Sequence, residues 1–251
     1  MKRRVLLFDI DGTIAESSKS VGPKMKTAIR KKVAEGWDVG IVGGGKLDKA
    51  LSQLGDLEMN HYMTECGCVY HRGRDRELKL IHFKNIREHS LYTKINVLIK
   101  KALYYLSQVD YTLTGNFVDL RSGIIYISLI GMTATHEERA VFIELDRQHN
   151  YRKKLIATLK ITARKIGILD DVVISEGGMV GIGLYPKEFD KVQVVECLRD
   201  AYDEIHYFGD KYETDGNDYH LLHHESVIGH KVDSVEDTLR ELEKPLFSST
   251  T

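Results

Sequence analysis

The 251-residue sequence holds little cysteine, little proline and almost no net charge. The three cysteines (Cys66, Cys68, Cys197) are too few for a disulfide framework, and their odd number fits a reducing compartment. The three prolines (Pro23, Pro186, Pro245) leave no Pro-rich linker. Lys and Arg number 36 against 37 Asp and Glu, a net charge of −1. That balance lacks the basic excess of a protein that coats DNA. The aromatic scatter, Tyr104-Tyr105 included, shows no base-stacking pattern. No run approaches the roughly 20 apolar residues of a membrane span. The apolar run Val5–Phe8 is too short for a signal-peptide core. These absences predict a cytoplasmic protein with neither nucleic acid nor membrane among its partners.

What is present is a globular composition, 42% hydrophobic and 29% charged, enough to bury one large core or two modest ones. Residues 4–8 (RVLLF) read as a strand buried on both faces, and Val39–Val42 as another. Helical stretches follow each, about Pro23–Glu35 and Leu47–Leu54. This alternation predicts a doubly wound, Rossmann-like α/β unit. The middle differs. An amphipathic helix over 95–106 precedes strand-like residues 116–130 with a turn at Ser122-Gly123. A charged helical stretch, His136 to about Arg164, leads to Val172–Ser175 and Met179–Leu184, flanking Gly177-Gly178. After Pro186 the α/β pattern resumes: a helix near Lys191–Arg199, a strand Glu204–Phe208, a strand near Ser226–Ile228 and a helix near Glu236–Leu242. The expected organisation is a discontinuous core, 1–81 with 187–251, interrupted by an α+β cap at 82–186.

Asp9-Ile10-Asp11-Gly12-Thr13 stands directly after the first strand. Ligands of open α/β sheets bind at the carboxyl ends of strands. Two carboxylates at i and i+2 there can share a hard cation, the first can attack phosphorus, and the second can serve as general acid and base. A surface Asp-rich turn is the plainer reading of the motif alone. Phe208-Gly209-Asp210-Lys211 repeats the pattern after a later strand, with Gly216-Asn217-Asp218 behind it. Asp9, Asp11, Asp210 and Asp218 are therefore the candidate Mg2+ ligands, since phosphoryl transfer needs anionic charge offset. Lys191, after a Gly/Pro-rich turn, can hold a phosphoryl group as a point charge, although alone it reads as a solvated helix residue. Gly43 and Gly44, in the Gly43-Gly44-Gly45 turn, can offer backbone N–H groups to a phosphate beside Asp9. Cys66-Gly67-Cys68 lacks the second cysteine pair of a zinc site. His220, His223 and His224 read as a helix face, and the basic runs Lys31-Lys32 and Arg152-Lys153-Lys154 as solvated faces.

The order FDIDGT, Gly-rich turn, Lys191 and GDKYETDGND resembles that of haloacid-dehalogenase-type phosphotransferases. Across nearly its whole length the chain resembles eukaryotic-type phosphomannomutases. VGIVGGG (39–45), TECG (64–67), NFVDLRSGIIYISLIG (116–131), EERAVFIELD (137–146), YFGDKYETDGND (207–218) and VEDTLRELEKPLF (235–247) carry the match. The resemblance implies that Asp9 is a nucleophile cycling through an aspartyl phosphate and Asp11 its acid/base. It implies that Asp9, the Asp11 carbonyl and Asp210 bind Mg2+, that Lys191 binds phosphate, and that Arg121 and Arg139 grip a distal phosphate in the cap. Guanidinium pairs with phosphate in bidentate fashion, which is why arginine serves there. It further implies a hexose 1,6-bisphosphate activator, a phosphosugar substrate, a homodimer through the cap and a place in GDP-mannose biosynthesis.

Several positions depart from that family. Ser17-Ser18-Lys19 stands where an Arg is usual, and Lys19 is the candidate replacement. Met132 stands where another Arg is usual, Gly181 and Gly183 where Ser and Asp are usual, and Cys66 where Asn is usual. The expected function is interconversion of mannose 6-phosphate and mannose 1-phosphate. The thinned cap keeps open a phosphatase of the same fold, and a non-catalytic binding protein on this scaffold is the remaining alternative.

Overall fold

The computed structural model describes residues 2–73, 77–214 and 216–246. Asp215, in the GDKYETDGND motif, and Phe247, in the tail segment, lie outside the described residues. In chain order the elements are β1 (Arg4–Phe8), α1 (Pro23–Ala34), β2 (Asp38–Val42), α2 (Leu47–Leu54), β3 (His61–Thr64), β4 (Val69–Arg72) and β5 (Lys79–Phe83). Next come α3 (Tyr92–Leu106), β6 (Val118–Leu120), β7 (Ile125–Ser128), α4 (His136–His149), α5 (Tyr151–Lys165), β8 (Val172–Gly177) and β9 (Gly181–Pro186). The chain ends with α6 (Val194–Leu198), β10 (Glu204–Gly209), α7 (Tyr219–Leu222), β11 (Ile228–Lys231) and α8 (Val235–Glu243). Among the described residues no helix is long and apolar enough to cross a membrane.

The chain divides into two compact units, Met1–Lys84 with Asp190–Thr251, and Asn85–Phe189. Their junctions lie three residues beyond the expected 81/82 and 186/187; at the first, β5 carries core strand to Phe83.

The first unit holds a seven-stranded sheet in the order β11-β10-β1-β2-β3-β4-β5. β11, β10, β1, β2 and β3 run parallel, and β4 and β5 are antiparallel additions at one edge. β1 sits mid-sheet and feeds both faces, as its unbroken apolar run requires. Leu6 and Phe8 pack with Met25, Ile29 and Leu54, whereas Val5 and Leu7 pack with Val194, Val195 and Leu198. The register pairs Phe8 with Phe208 and with Ile41, so β1, β10 and β2 end level. Asp9, Asp210 and Gly43 follow those ends directly. Strands β3, β4 and β5 have no counterpart in the sequence reading. They are four or five residues each and carry His61, His71, Arg72 and His82, which break the apolar runs that betray β1 and β2.

The second unit is a four-stranded antiparallel sheet, β6-β7-β9-β8, with helices α3, α4 and α5. The single helical stretch expected over 136–164 is two helices. Asn150 between them adopts φ 56°, ψ 40°, the left-handed conformation that Asn tolerates. α4 starts with a reciprocal cap, in which the Thr135 hydroxyl accepts from the Glu138 N–H and the Glu138 carboxylate accepts from the Thr135 N–H. The strand expected near 226–228 is β11, shifted to 228–231, and the helix expected from Lys191 begins as a 3-10 turn over Lys191–Gln193.

Candidate active site

The level ends of β1 and β10 set the site. The Asp9 N–H donates to the Phe208 carbonyl at 2.9 Å, which stitches the two strand ends together. Gly12 then turns the chain with φ +94°, and a Cβ there would lie 2.5 Å from Asp210 Oδ2. Only glycine lets this loop meet that carboxylate. Thr13 Oγ1 donates to Asp210 Oδ1 at 3.4 Å. Gly209 has the same role on the other side, since its Cβ would stand 2.8 Å from the Asp218 carboxyl carbon.

Lys191 is completely buried, which corrects its reading as a solvated helix residue. Its Nζ donates to Asp9 Oδ1 at 2.6 Å and to Asp218 Oδ1 at 2.6 Å, with the Tyr207 hydroxyl 3.2 Å away. Tyr207 donates to Asp218, and the Lys211 N–H donates to Asp218 Oδ2 at 3.0 Å. Burial pushes the Asp9 carboxyl up from the usual carboxylate range, and the Asp218 and Asp210 charges oppose the Lys191 ammonium in keeping it there. Burial alone would raise Asp218 too. The Lys191 ammonium and three hydrogen bonds instead hold it below its ordinary value. Burial also works against the Lys191 charge, but Asp218 and Asp9 hold it well above the ordinary lysine value. One ammonium is thus shared by two buried carboxylates.

Asp9, Asp210 and Asp218 each offer a carboxylate oxygen within 4.8 Å of the others. Three hard oxygen donors carrying more negative charge than Lys191 balances fit a magnesium ion. The Asp11 side chain takes no part in this cluster. Its Oδ2 accepts from Lys49 Nζ at 2.6 Å, and its Oδ1 accepts from Gln53 Nε2 and the Ser18 N–H, both at 2.8 Å. Burial would raise Asp11, but these partners hold it below its ordinary value. Gly43 does not offer its N–H to a ligand, because it donates to the Met63 carbonyl at 3.0 Å. A Cβ at Gly44 would meet Cys66 Sγ at 3.8 Å. Lys19 pairs with Glu16 at the surface, and its carbonyl, not its ammonium, meets Gln53.

In the cap, Arg121 pairs with Asp119 at 2.7 Å and lies 5.1 Å over the Tyr126 ring. Arg139 donates to the carbonyls of Ala134 at 3.1 Å and Met132 at 2.9 Å. Arg152 is no solvated residue, since it bonds Asp146 at 2.6 Å and Glu176 at 3.0 Å. Burial raises the Tyr126 hydroxyl pKa against the pull of Arg121, Arg139 and Arg152 together. Tyr126 also explains Gly181. A Cβ at Gly181 would fall 2.5 Å from the Tyr126 hydroxyl and 2.6 Å from the Ile127 carbonyl oxygen, so no serine fits there.

Among the remaining candidates, Cys66, Cys68 and Cys197 are free thiols. Cys66 adopts φ 60°, ψ 28°, a left-handed conformation that accounts for Asn being usual at this position. His220 Nδ1 lies 3.2 Å from Asp190, and His223 Nδ1 bonds the Tyr219 carbonyl. Lys49, Gln53, Tyr207 and Tyr126 went unnoticed in the sequence. Lys49 and Gln53, four apart on α2, carried the one usable signal, two polar residues on the helix that follows the Gly turn.

A family model described as eukaryotic phosphomannomutase matches residues 25–248. The chain belongs to that family. A phosphomannomutase of Glycine max is 35% identical over 97% of this chain and 96% of its own length. That of Saccharomyces cerevisiae is 34% identical over 95% and 92%. Eukaryotic phosphomannomutases are enzymes of phosphotransfer and isomerisation, and this chain is one of them by descent. Two solved structures share the fold at low identity. A truncated IMP-nucleotidase of Plasmodium falciparum has a TM-score of 0.69 at 14% identity, covering 96% of this chain and 70% of that one. A haloacid dehalogenase-like hydrolase from Bacteroides thetaiotaomicron has 0.61 at 12%, covering 96% and 99%. The fold of this family member is therefore haloacid-dehalogenase-like, a core with a cap.

Proposed function

We propose that the protein is a Mg2+-dependent phosphohexomutase that interconverts mannose 6-phosphate and mannose 1-phosphate through Asp9. The observation that carries this reading is the buried ammonium of Lys191, 2.6 Å from both Asp9 and Asp218, at the level ends of β1 and β10. Asp9 attacks a phosphorus of hexose 1,6-bisphosphate. The bond from phosphorus to the sugar oxygen breaks, and Asp11 delivers a proton to that oxygen. The free 6-hydroxyl of an incoming mannose 1-phosphate then attacks the aspartyl phosphate. Asp11 takes the hydroxyl proton, the bond from phosphorus to Asp9 breaks, and the bisphosphate is regenerated; transfer of its C1 phosphoryl group to Asp9 then leaves mannose 6-phosphate. Lys191 holds the phosphoryl group as a fixed positive charge. A magnesium ion on Asp9, Asp210 and Asp218, when bound, offsets further phosphoryl charge. Arg121 and Arg139 take the distal phosphate. We assign the chain to the cytoplasm and to a homodimer formed through the cap.

The test supplies mannose 1-phosphate, Mg2+ and the bisphosphate, and follows mannose 6-phosphate and free phosphate together. Isomer formation that disappears with Asp9→Asn is expected. Turnover surviving Asp9→Asn refutes the assignment. Met132 and the glycines at 181 and 183 favour a second reading, a sugar-phosphate phosphatase, since a cap with fewer anion and hydroxyl partners releases its ligand sooner. Phosphate released in place of isomer identifies that case.

A further inference from the structure

Asp11 lies on the same loop as Asp9, yet both oxygens of its carboxylate accept hydrogen bonds from elsewhere. Lys49 takes one oxygen at 2.6 Å, while Gln53 and the Ser18 N–H take the other at 2.8 Å each. Lys49 and Gln53 stand at i and i+4 on α2 and so share one face of the helix. Gln53 is buried, and its amide also donates to the Lys19 carbonyl at 3.1 Å. The same side chain thereby fixes the loop that supplies the Ser18 N–H. Asp9, Asp11, Lys49, Gln53, Thr64 and the Gly43–Gly45 turn line one small cavity of about 30 Å³. That volume admits a water molecule but nothing near the size of a sugar.

We propose that Lys49 and Gln53 are positioning residues that hold Asp11 withdrawn, so that a water beside phosphorylated Asp9 finds no base. The inference rests on the phosphoryl-transfer reading of Asp9. Hydrolysis and transfer make the same demand. An oxygen bonds to phosphorus, the bond from phosphorus to Asp9 breaks, and the attacking oxygen gives its proton to Asp11. While its oxygens accept from Lys49, Gln53 and Ser18, Asp11 is held toward α2 and the Ser18 loop and is a poorer acceptor for that proton. A phosphosugar brings binding energy that can draw Asp11 from its partners, and water brings almost none. Lys49 and Gln53 thus favour the sugar over water as acceptor.

The experiment measures the ratio of phosphate released to isomer formed in the full-length protein, with mannose 1-phosphate, bisphosphate and Mg2+. Lys49→Met is expected to raise the ratio at least tenfold, and Lys49→Arg to restore it to within threefold of the parent. Gln53→Leu is expected to raise it as well. Lys49 is nearly half exposed, so its replacement leaves the core intact. Isomer and phosphate falling in parallel, with the ratio unchanged in Lys49→Met, would overturn the proposal. If the parent protein forms no isomer at all, the mutase reading fails. The positioning role is then judged by phosphate release alone, which Lys49→Met must raise at least tenfold; an unchanged or lower rate refutes it.

Discussion

Replacing Lys191 with Met is the sharpest test of the buried charge cluster. The substitution keeps an unbranched side chain of similar length and removes only the ammonium. Two charge-assisted hydrogen bonds at 2.6 Å are lost, to Asp9 and Asp218, both of which stay buried. At about 1.5–3 kcal/mol each, their loss amounts to about 3–6 kcal/mol. Breaking a buried ion pair by deleting one partner costs a similar 3–5 kcal/mol, so about 4 kcal/mol is the working figure. The loss must depend on pH. Without the ammonium, Asp9 and Asp218 bind protons more readily folded than unfolded, which favours the folded variant at low pH and penalises it as pH rises. Urea unfolding of metal-stripped protein at pH 5.5 and pH 8 measures both effects. The gap between parent and variant is expected to be larger at pH 8, and Mg2+ is expected to stabilise the variant more than the parent. A gap under about 1 kcal/mol that ignores pH would refute the claim that Lys191 balances buried charge.

Three further outcomes follow from other parts of the molecule. His206 is fully buried, its Nδ1 2.9 Å from His230 Nε2, and burial with the His230 and Arg4 charges, opposed by Glu204, lowers its pKa from 6.5 to about 4. The unfolded chain therefore takes up the proton first, so stability is intact above pH 6.5 and declines by about 2–3 kcal/mol toward pH 4, a slope that urea midpoints for the parent and His206→Gln reveal by its loss in the variant. Gly181→Ala places a Cβ 2.4 Å from the Tyr126 ring and 2.6 Å from the Ile127 carbonyl, and thermal unfolding should register a loss of about 1–3 kcal/mol, with no loss contradicting the packing described. Met132→Arg returns a guanidinium beside the carbonyl that Arg139 caps, and steady-state kinetics should show KM for the phosphosugar falling about tenfold, one charged hydrogen bond's worth.

The parts legible in the sequence are those where one strong local signal suffices. RVLLF and VGIV are unbroken apolar runs, and the carboxylates that follow such runs line up because parallel strands end level. The sequence marks Lys191 by its place after a Gly/Pro-rich turn and by likeness to a family, but not as buried; its complete burial depends on Asp9 and Asp218, which lie 182 residues before it and 27 after it. Strands β3 to β5 stayed hidden because their histidines and arginine interrupt the apolar pattern. His61 is nonetheless buried, with both ring nitrogens bonded to tyrosine hydroxyls, Tyr70 at 2.8 Å and Tyr202 at 2.6 Å. A polar residue satisfied by distant partners cannot be told from a surface one by spacing. The break at Asn150 was equally silent, since asparagine marks a helix end far less often than glycine does.

The fit between Tyr126 and Gly181 ties two cap strands into a single unit of change. A serine at 181 collides with the tyrosine and with the β7 backbone, so a larger residue at 181 needs a change at 126 and a shift of β7. The central place of β1 has a different consequence, one that concerns synthesis. β1 can pair with β2 as soon as both have left the ribosome, but its other neighbour, β10, ends at Gly209. At roughly 5–20 residues per second, the RVLLF edge waits about 6–25 s after β5 has emerged before its partner arrives. During that interval the most apolar strand of the sheet is an open edge, the arrangement that recruits foreign strands. A slower stretch of translation after β5 would lengthen that exposure.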